Sequence, residues 1–156
     1  FNTDLDFESC QDIINKVGLH GYEEHFPHNE SFGFRFRVSL ARAIANNADL
    51  IILDEPFNHL NSITRLDLYK LIRNLHLNDN FTFFLGTSNI SEAIFLSEKV
   101  NLLSSSPSEL IDEIEIKLPQ KRSSEIFESS EFIEIRSSIE NILLKSSQDK
   151  FYNFSL

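Results

Sequence analysis

Two adjacent carboxylates, Asp54 and Glu55, directly follow the apolar run of residues 50–53 in the segment LIILDEPFNHLN. The run predicts a strand that is buried on both faces of a parallel sheet, and such sheets bind ligands beyond the carboxyl ends of their strands. Phosphoryl transfer to water uses one carboxylate to hold Mg²⁺ and a neighbouring one to orient the attacking water. The pair could divide these two tasks, or it could only end the strand and cap a turn.

A second unusual segment, SFGFRFRV at residues 31–38, places three phenylalanines and two arginines around Gly33. A similar string occurs in RNA-binding sheets, where aromatic rings stack on bases and arginines contact phosphates. The whole chain argues against that function, because its 14 basic and 24 acidic residues give a formal charge of −10 that repels a polyanion. We therefore expect no nucleic-acid partner, and we expect Arg35, Arg37 and Arg42 to form salt bridges instead.

Length and composition indicate one globular domain, since 156 residues of which 41% are hydrophobic can bury a core. The one cysteine, Cys10, excludes an internal disulfide, and its helical spacing from Ile13, Ile14 and Val17 predicts a buried side chain in a reducing compartment. No apolar run approaches the ~20 residues of a membrane span, so we expect a cytosolic or peripheral protein. The chain contains no methionine, which indicates a processed or truncated product.

Apolar periodicity predicts the elements that must position these residues. The order of strand, helix, strand, helix and strand is that of a mostly parallel sheet flanked by helices, an α/β fold. The first predicted elements are helices at residues 6–17 and 35–46, a strand at 50–54 and a helix that includes Leu68, Leu71, Ile72 and Leu75. A strand at 81–86, a helix at 90–99 that begins with an Asn89–Glu92 capping box, and a strand at 99–103 follow. The last are an edge strand at 113–118, a linker at 121–124 and an amphipathic helix with Phe132, Ile135, Ile139, Ile142 and Leu143 on one side.

The motifs along residues 16–65 follow one another in a specific order. This run resembles the end of the helical subdomain, the signature motif, Walker B and the D-loop of the ATP-binding subunits of ABC transporters, most closely the nitrate, sulfonate and taurine importer group. The likeness extends over nearly the whole chain. It implies the C-terminal part of a P-loop NTPase domain, with part of the helical subdomain at the N-terminus. The implied domains are a partial ATPase domain at 1–120 and a C-terminal helical extension at 121–156. Within the first, the signature region is 30–46, Walker B 50–55, the D-loop 57–61 and the switch region 85–89.

The resemblance also implies roles for individual residues. Glu55 corresponds to the catalytic group that orients the attacking water, and Asp54 to the residue that holds Mg²⁺. Ser31 and Gly33 lie in the signature motif, which in the family grips the γ-phosphate of ATP bound on the opposite subunit. Asn61 and Ser88 occupy the D-loop and switch positions that contact the nucleotide.

Several positions depart from the family pattern. Phe32 replaces a glycine of the signature motif, and its Cβ and ring are expected to narrow the space for the γ-phosphate. Asn61 stands where the family has an aspartate, and Ser88 where it has the switch histidine, which a serine is too short to replace. The chain also lacks the Gly-x-x-x-x-Gly-Lys-Ser/Thr phosphate loop, which the family places in an N-terminal half.

Two functions remain open from the sequence. The first is an ATP-hydrolysing subunit of an importer for nitrate, sulfonates or taurine, on the cytoplasmic face of the membrane. Its cofactors would be ATP and Mg²⁺. Its partners would be a transmembrane permease subunit, a second nucleotide-binding subunit and, indirectly, a solute-binding protein. The second is a non-catalytic remnant that binds a partner or has no function.

A metal site is the weakest alternative. His20, His25 and His28 lie near Glu23 and Glu24, and these residue types can ligate metals. The loop matches the family's loop before the signature motif, which favours a structural role.

Overall fold

The computed structural model describes residues 6–25, 31–104 and 108–152, with side chains described through Ser146. The chain divides into two compact units, Phe1–Gly86 and Thr87–Leu156. Its helices are α1 (Phe7–Lys16), α2 (Phe32–Ala45), α3 (Ser62–Asp79), α4 (Ile90–Leu96) and α5 (Ser130–Tyr152), with a 3₁₀ helix at Ser124–Glu128. Its strands are β1 (Leu50–Asp54), β2 (Thr82–Gly86), β3 (Lys99–Leu103) and β4 (Leu110–Glu115).

The first unit is built on a parallel pair of strands, β1 and β2, in which Ile52 lies opposite Phe84. One face of the pair is packed, since Ile51 is buried. The other face is open: Leu50, Ile52 and Phe84 are 51%, 68% and 59% exposed. The prediction that the LIILD strand is buried on both faces is therefore wrong for this chain.

Helices α2 and α3 contact each other in the first unit at Gly33. A Cβ on this buried glycine would lie 2.7 Å from Cγ2 of Thr64, too close for any other residue unless the Thr64 side chain or one of the helices moves. The core also contains Phe57, whose ring meets that of Tyr69 edge-on at 4.8 Å. Other buried apolar residues of this unit are Val17, Leu19, Leu40, Ile44, Leu68, Ile72 and Leu75.

Helix α1 begins at the N-cap Asp6, whose carboxylate accepts a 2.7 Å hydrogen bond from the backbone N–H of Ser9. Val17, at the end of the helix, is fully buried, and Ile13 is half-buried. Cys10 is exposed, so the prediction that its side chain is buried is wrong. The apolar stripe of α1 is covered towards its C-terminal end only.

The second unit contains an antiparallel pair, β3 and β4, with Lys99 opposite Glu115. Strand β4 begins three residues earlier and ends three residues earlier than the predicted edge strand. Helix α5 packs on α4 and on the 3₁₀ helix, where the ring of Phe127 stacks on Phe95 and meets Phe132 edge-on, both at 5.0 Å. Phe132 and Ile139 are buried, as the predicted apolar side of this helix requires.

Arg122 has a structural role that the prediction of a linker at residues 121–124 did not include. Its side chain is buried, and one guanidinium nitrogen donates to the carbonyl oxygens of Ile94, Phe95 and Ser97 at 2.8, 2.7 and 3.0 Å. These carbonyls belong to the last turn of α4 and its C-cap, where backbone acceptors have no partner within the helix. Arg122 therefore caps the C-terminal end of α4 with its guanidinium group.

Within the described ranges, no helix is long and apolar enough to span a bilayer.

Candidate nucleotide site

The two predicted active-site carboxylates stand at the carboxyl end of β1. Asp54 is the last residue of the strand and lies opposite Gly86, the last residue of β2. The next backbone N–H, that of Glu55, donates a 2.8 Å hydrogen bond to the carbonyl of Gly86. The hydrogen bonding between β1 and β2 thus extends by one residue to Glu55 and fixes the backbone position of both carboxylate residues.

Gly86 leaves room for the Asp54 carboxylate. A Cβ at position 86 would lie 3.3 Å from Oδ1 of Asp54, which is closer than ordinary van der Waals contact. Asp54 is exposed, so the carboxylate extends over the end of β2 and faces solvent. The sequence alone did not link these two residues, because the link depends on the strand register.

Glu55 has an uncommon backbone conformation, with φ of +41°. Such a conformation costs a residue with a side chain about 1–3 kcal/mol, and it persists where the surroundings impose it, often at functional sites. The side chain is half-buried, and Oε2 accepts a long 3.4 Å hydrogen bond from Nδ2 of Asn58. Strand pairing on one side and the 55–58 turn on the other hold Glu55 in place.

His59 is a residue of this turn that the sequence did not single out. Its φ of +69° is again positive, and its ring lies 5.9 Å from that of Phe32. The contact joins the predicted D-loop to the predicted signature region within the first unit. Histidine is one of the few residues with a side chain that are enriched at such a φ, so the residue type is compatible with this turn, although it does not by itself predict the contact with Phe32.

Ser31 is the N-cap of α2, and its Oγ accepts a 3.3 Å hydrogen bond from the backbone N–H of Phe34. Capping uses an oxygen lone pair and leaves the hydroxyl proton able to donate to another group. The first amides of a helix also favour an anion. Ser31 therefore lies where a phosphate could be received, whereas Glu30 falls outside the described residues.

Phe32 is 55% exposed at the start of α2. The guanidinium carbon of Arg35 lies 4.4 Å from the centre of its ring, a cation–π contact, and the ring of His59 lies 5.9 Å from it. Arg37 instead forms an ion pair with Asp67 and donates to the carbonyl of Val17. The salt bridge expected for this helix is thus present at Arg37.

Asn61 caps α3. Its Oδ1 accepts a 2.9 Å hydrogen bond from the backbone N–H of Thr64. Asparagine and aspartate cap helices equally well, so the local fold does not require the charge that the family carries here. A role of Asn61 towards a nucleotide stays a prediction.

Ser88 lies in the second unit and is exposed between β2 and α4. Its neighbours form a fixed local network. The Oδ1 of Asn89 accepts from the N–H groups of Ser91 and Glu92, which confirms the predicted N-cap. The buried Glu92 carboxylate accepts a 2.7 Å hydrogen bond from Thr87 Oγ1 rather than completing the capping box at the N–H of Asn89. That N–H donates to Thr87 Oγ1 instead.

The loop that contains His20 and His25 is held by local hydrogen bonds and ring contacts. The backbone N–H of Glu23 itself and then that of Gly21, which donates to Oε1 at 3.1 Å, hold the pKa of the Glu23 carboxyl below its ordinary value. The rings of Tyr22 and His25 lie 4.9 Å apart. In the part of the chain that the structure describes, no three His, Cys, Asp or Glu side chains gather into a metal site, and His28 lies outside that part.

Comparison with known proteins gives relatives of one kind. A family model described as ABC transporter matches residues 4–58. The chain is 36% identical over 109 residues to the taurine import ATP-binding protein of Yersinia pseudotuberculosis, covering 70% of this chain and 43% of that protein. It is 33% identical over 132 residues to the aliphatic sulfonates import ATP-binding protein of Bacillus cereus, covering 85% and 51%. It is 30% identical over 142 residues to the nitrate import ATP-binding protein of Synechococcus elongatus, covering 90% and 22%.

Solved structures agree with the sequence relatives. An ATP-binding cassette in a dimeric post-hydrolysis state with ADP and Pi is 26% identical with a TM-score of 0.59, covering 75% of this chain and 51% of that one. The cbiO1 protein of Clostridium perfringens, part of the transporter complex cbiONQ, is 20% identical with a TM-score of 0.66, covering 85% and 51%, and shows the shared fold. The chain spans about half the length of the taurine and sulfonate relatives and of these cassettes. It belongs to the ATP-binding family of ABC transporters.

Proposed function

We propose that this chain is part of the ATP-hydrolysing subunit of an importer for small anions such as nitrate, sulfonates or taurine. The observation that carries the proposal is the carboxylate pair at the end of β1, held by the hydrogen bond from Glu55 N–H to the Gly86 carbonyl. Taurine, sulfonate and nitrate appear in the names of its relatives. Its partners on this proposal are a permease subunit, a second nucleotide-binding subunit and, indirectly, a solute-binding protein, at the cytoplasmic face of the membrane.

Glu55 is the residue that we assign to the attacking water. Its carboxylate is half-buried and its backbone is held by β2 and by the 55–58 turn, so a water hydrogen-bonded to it would be fixed in direction. Orientation of the nucleophile removes part of the entropic barrier, and a carboxylate strengthens the nucleophile by accepting a proton.

Asp54 is the residue that we assign to Mg²⁺. Mg²⁺ in nucleotide sites binds through one or two carboxylates, water and the phosphates, so a single exposed aspartate suits it better than a closed cluster would. The space that Gly86 leaves beside Asp54 Oδ1 fits this assignment. When bound, the ion would neutralise phosphate charge that the carboxylates would otherwise repel.

Ser31 and Gly33 are assigned to the γ-phosphate of a nucleotide held by the second subunit. The hydroxyl of Ser31 can donate while its oxygen caps α2, and the first amides of the helix add further donors. Gly33 adds a second contribution, because its missing side chain lets α2 lie against Thr64 of α3. It therefore supports the position of the clamp.

The test is ATP hydrolysis by a completed cassette. The amino-terminal part of the Yersinia pseudotuberculosis relative, up to the point where its match to this chain begins, is fused to the 156 residues. We expect turnover, and we expect Glu55→Gln to lower it by ~10²–10⁴-fold, since the base or water-orienting group is lost. Glu134→Gln, an exposed change of the same kind on α5, is the matched control and should leave turnover unchanged. A fusion in which both variants hydrolyse ATP at one rate contradicts the assignment.

A second candidate is a non-catalytic member that serves a partner subunit. Phe32 favours it, because a ring held by Arg35 and His59 stands where the family pattern has a glycine. Ser88 at the switch position favours it as well. This candidate predicts that the fusion folds and binds ATP but shows no turnover that depends on Glu55.

A further inference from the structure

His59 and Phe32 form a ring contact between two parts of the first unit. Phe32 is the first residue of α2, and His59 belongs to the turn of residues 55–61 that joins β1 to α3. Their ring centres lie 5.9 Å apart, and the ring planes are tilted by 34°. Both side chains are exposed, so the contact adds little to the core of the unit. It instead determines what surrounds the start of α2.

A second ring contact beside this one sets the alignment of α2 with the turn. Phe36 lies four residues after Phe32 and therefore on the same side of α2, and Phe57 lies two residues before His59. The ring centres of Phe36 and Phe57 are 5.6 Å apart, and Phe57 is fully buried. The buried pair thus fixes α2 against the turn, and this alignment places the two exposed rings beside each other.

The turn that carries His59 is held by contacts that do not involve Phe32. Its first residue is hydrogen-bonded to the carbonyl at the end of β2. The carbonyl of Leu60 accepts a 3.0 Å hydrogen bond from Nη2 of Arg65, and Asn61 caps α3. His59 has a φ of +69°, which persists in a residue with a side chain where the surroundings impose it. His59 is therefore the fixed partner of the pair, and the position of the Phe32 ring depends on it.

The Phe32 side chain extends towards the space in front of α2. The Cα–Cβ bonds of a helix tilt towards its N-terminus, so a side chain on the first residue leans past the first-turn amides. Those amides and the hydroxyl of Ser31 are the groups that we assign to the γ-phosphate. Arg35 also contacts the ring, but it belongs to α2 itself, whereas His59 ties the ring to another element.

We propose that His59 is a positioning residue that keeps the Phe32 ring in front of α2 and thereby restrains the approach of the γ-phosphate to Ser31. This inference rests on the proposed function, because it takes Ser31 as part of the phosphate clamp. An aromatic contact of this kind favours the held position of the ring by a factor of about 2–10. Loss of the His59 ring should therefore release part of the restraint while Phe32 is still present.

Turnover of the fused cassette tests the proposal with two contrasting changes at one position. His59→Asn removes the ring but suits a positive φ, whereas His59→Phe keeps a ring but is strained at this φ. We expect His59→Asn to raise kcat by about 2–10-fold with little change in KM, and His59→Phe to stay near the parent. A role of His59 in the turn backbone alone predicts instead that His59→Asn matches the parent and that His59→Phe lowers kcat. His20→Asn, an exposed change in the same unit, is the matched control and should leave kcat unchanged.

A double-mutant cycle tests the ring contact without nucleotide. The unfolding equilibrium constants of the 156-residue chain are compared for His59→Asn, for Phe32→Leu and for both changes together. We expect the two effects to be non-additive by about 2–10-fold, because each change removes the same contact. His20→Asn combined with Phe32→Leu is the control pair, and its effects should be additive.

Three results would overturn the inference. The first is additive effects of His59→Asn and Phe32→Leu on unfolding. The second is a His59→Asn cassette whose kcat equals or falls below that of the parent. The third is a gain in kcat from His59→Asn that persists in a Phe32→Gly background, because His59 would then act through another group. A cassette in which no variant hydrolyses ATP, together with a coupled cycle, contradicts the proposed function and supports the hold of His59 on the Phe32 ring.

Discussion

At the scale of single residues, the position of Glu55 depends more on its backbone than on its side-chain contacts. Its N–H continues the pairing of β1 with β2 at Gly86, and its φ of +41° turns the chain out of the strand at once. A catalytic carboxylate needs such fixed geometry because misplacement by about 1 Å costs ~10²-fold in rate. The sequence LDEP predicts that the carboxylates follow a strand, but it predicts neither the positive φ of Glu55 nor its hydrogen bond to Gly86, which depends on the strand register.

The two departures at Phe32 and Ser88 yield a prediction about rate. In the fused cassette, Phe32→Gly together with Ser88→His should raise turnover by about tenfold or more and change ATP affinity much less. The restored contacts stabilise charge that develops in the transition state rather than ground-state binding. Steady-state hydrolysis and calorimetric ATP titration separate the two effects.

The matched control for this double change is Phe7→Gly with Ser137→His, both exposed and both outside the candidate site. It should alter neither turnover nor affinity. Equal turnover before and after Phe32→Gly and Ser88→His would show that Phe32 and Ser88 do not lower the rate of hydrolysis, and that the γ-phosphate is held by other groups.

At the scale of elements, α4 depends on a residue far along the chain. Arg122 donates to three carbonyls at the C-terminal end of this seven-residue helix, while Asn89 caps its other end. The sequence predicts the Asn89 cap, because capping is local. It does not predict the Arg122 contact, because the acceptors lie 25 to 28 residues away and a polar stretch has the composition of a linker.

We expect Arg122→Met to destabilise the protein by about 2–4 kcal/mol, since buried carbonyls lose donors and an apolar side chain supplies none. Arg136→Met is the matched control. Arg136 is exposed and pairs with Glu140 one turn away on α5, an interaction worth only about 0.3–0.5 kcal/mol. Chemical denaturation measures both free energies of unfolding, and equal losses would disprove the capping role of Arg122.

Helix α1 gives a prediction about pH. The backbone N–H of Ser9 holds the pKa of the Asp6 carboxyl below its ordinary value of 3.8. A group whose pKa is lowered by folding contributes stability above its unfolded pKa, and this contribution is lost as the pH falls through the folded pKa. Asp6→Asn keeps an oxygen for the cap but cannot titrate, so the variant should lose less stability than the parent as the pH falls below about 4.

Asp12→Asn, an exposed change on the same helix, controls for the loss of one carboxylate. Denaturation midpoints measured from pH 6 down to pH 3 provide the comparison. If Asp6→Asn follows the parent curve throughout this range, the carboxylate of Asp6 does not cap the helix in solution.

At the scale of the whole molecule, the sequence predicts the order of elements and the family, and it fails where an element depends on its neighbours. Residues 50–54 form the predicted strand, but Leu50 and Ile52 are exposed because the described residues supply no layer to cover them. An apolar sequence indicates that a strand needs a covering layer, but it does not show whether the same chain supplies that layer. Cys10 illustrates the same limit, since its helix is predicted correctly while its side chain is exposed among the residues that the structure describes.

Binding of Mg²⁺-ATP measures the central claim most directly: that this chain carries the carboxylates of a nucleotide site whose phosphate cradle must come from another segment. The chain has four glycines and no Gly-x-x-x-x-Gly-Lys-Ser/Thr sequence, so Asp54 and Glu55 would meet the phosphates without a backbone cradle. Calorimetric titration should find affinity weaker than micromolar for the 156 residues alone and micromolar affinity once the amino-terminal part of a relative is fused to them. Micromolar affinity of the 156 residues by themselves would contradict the account.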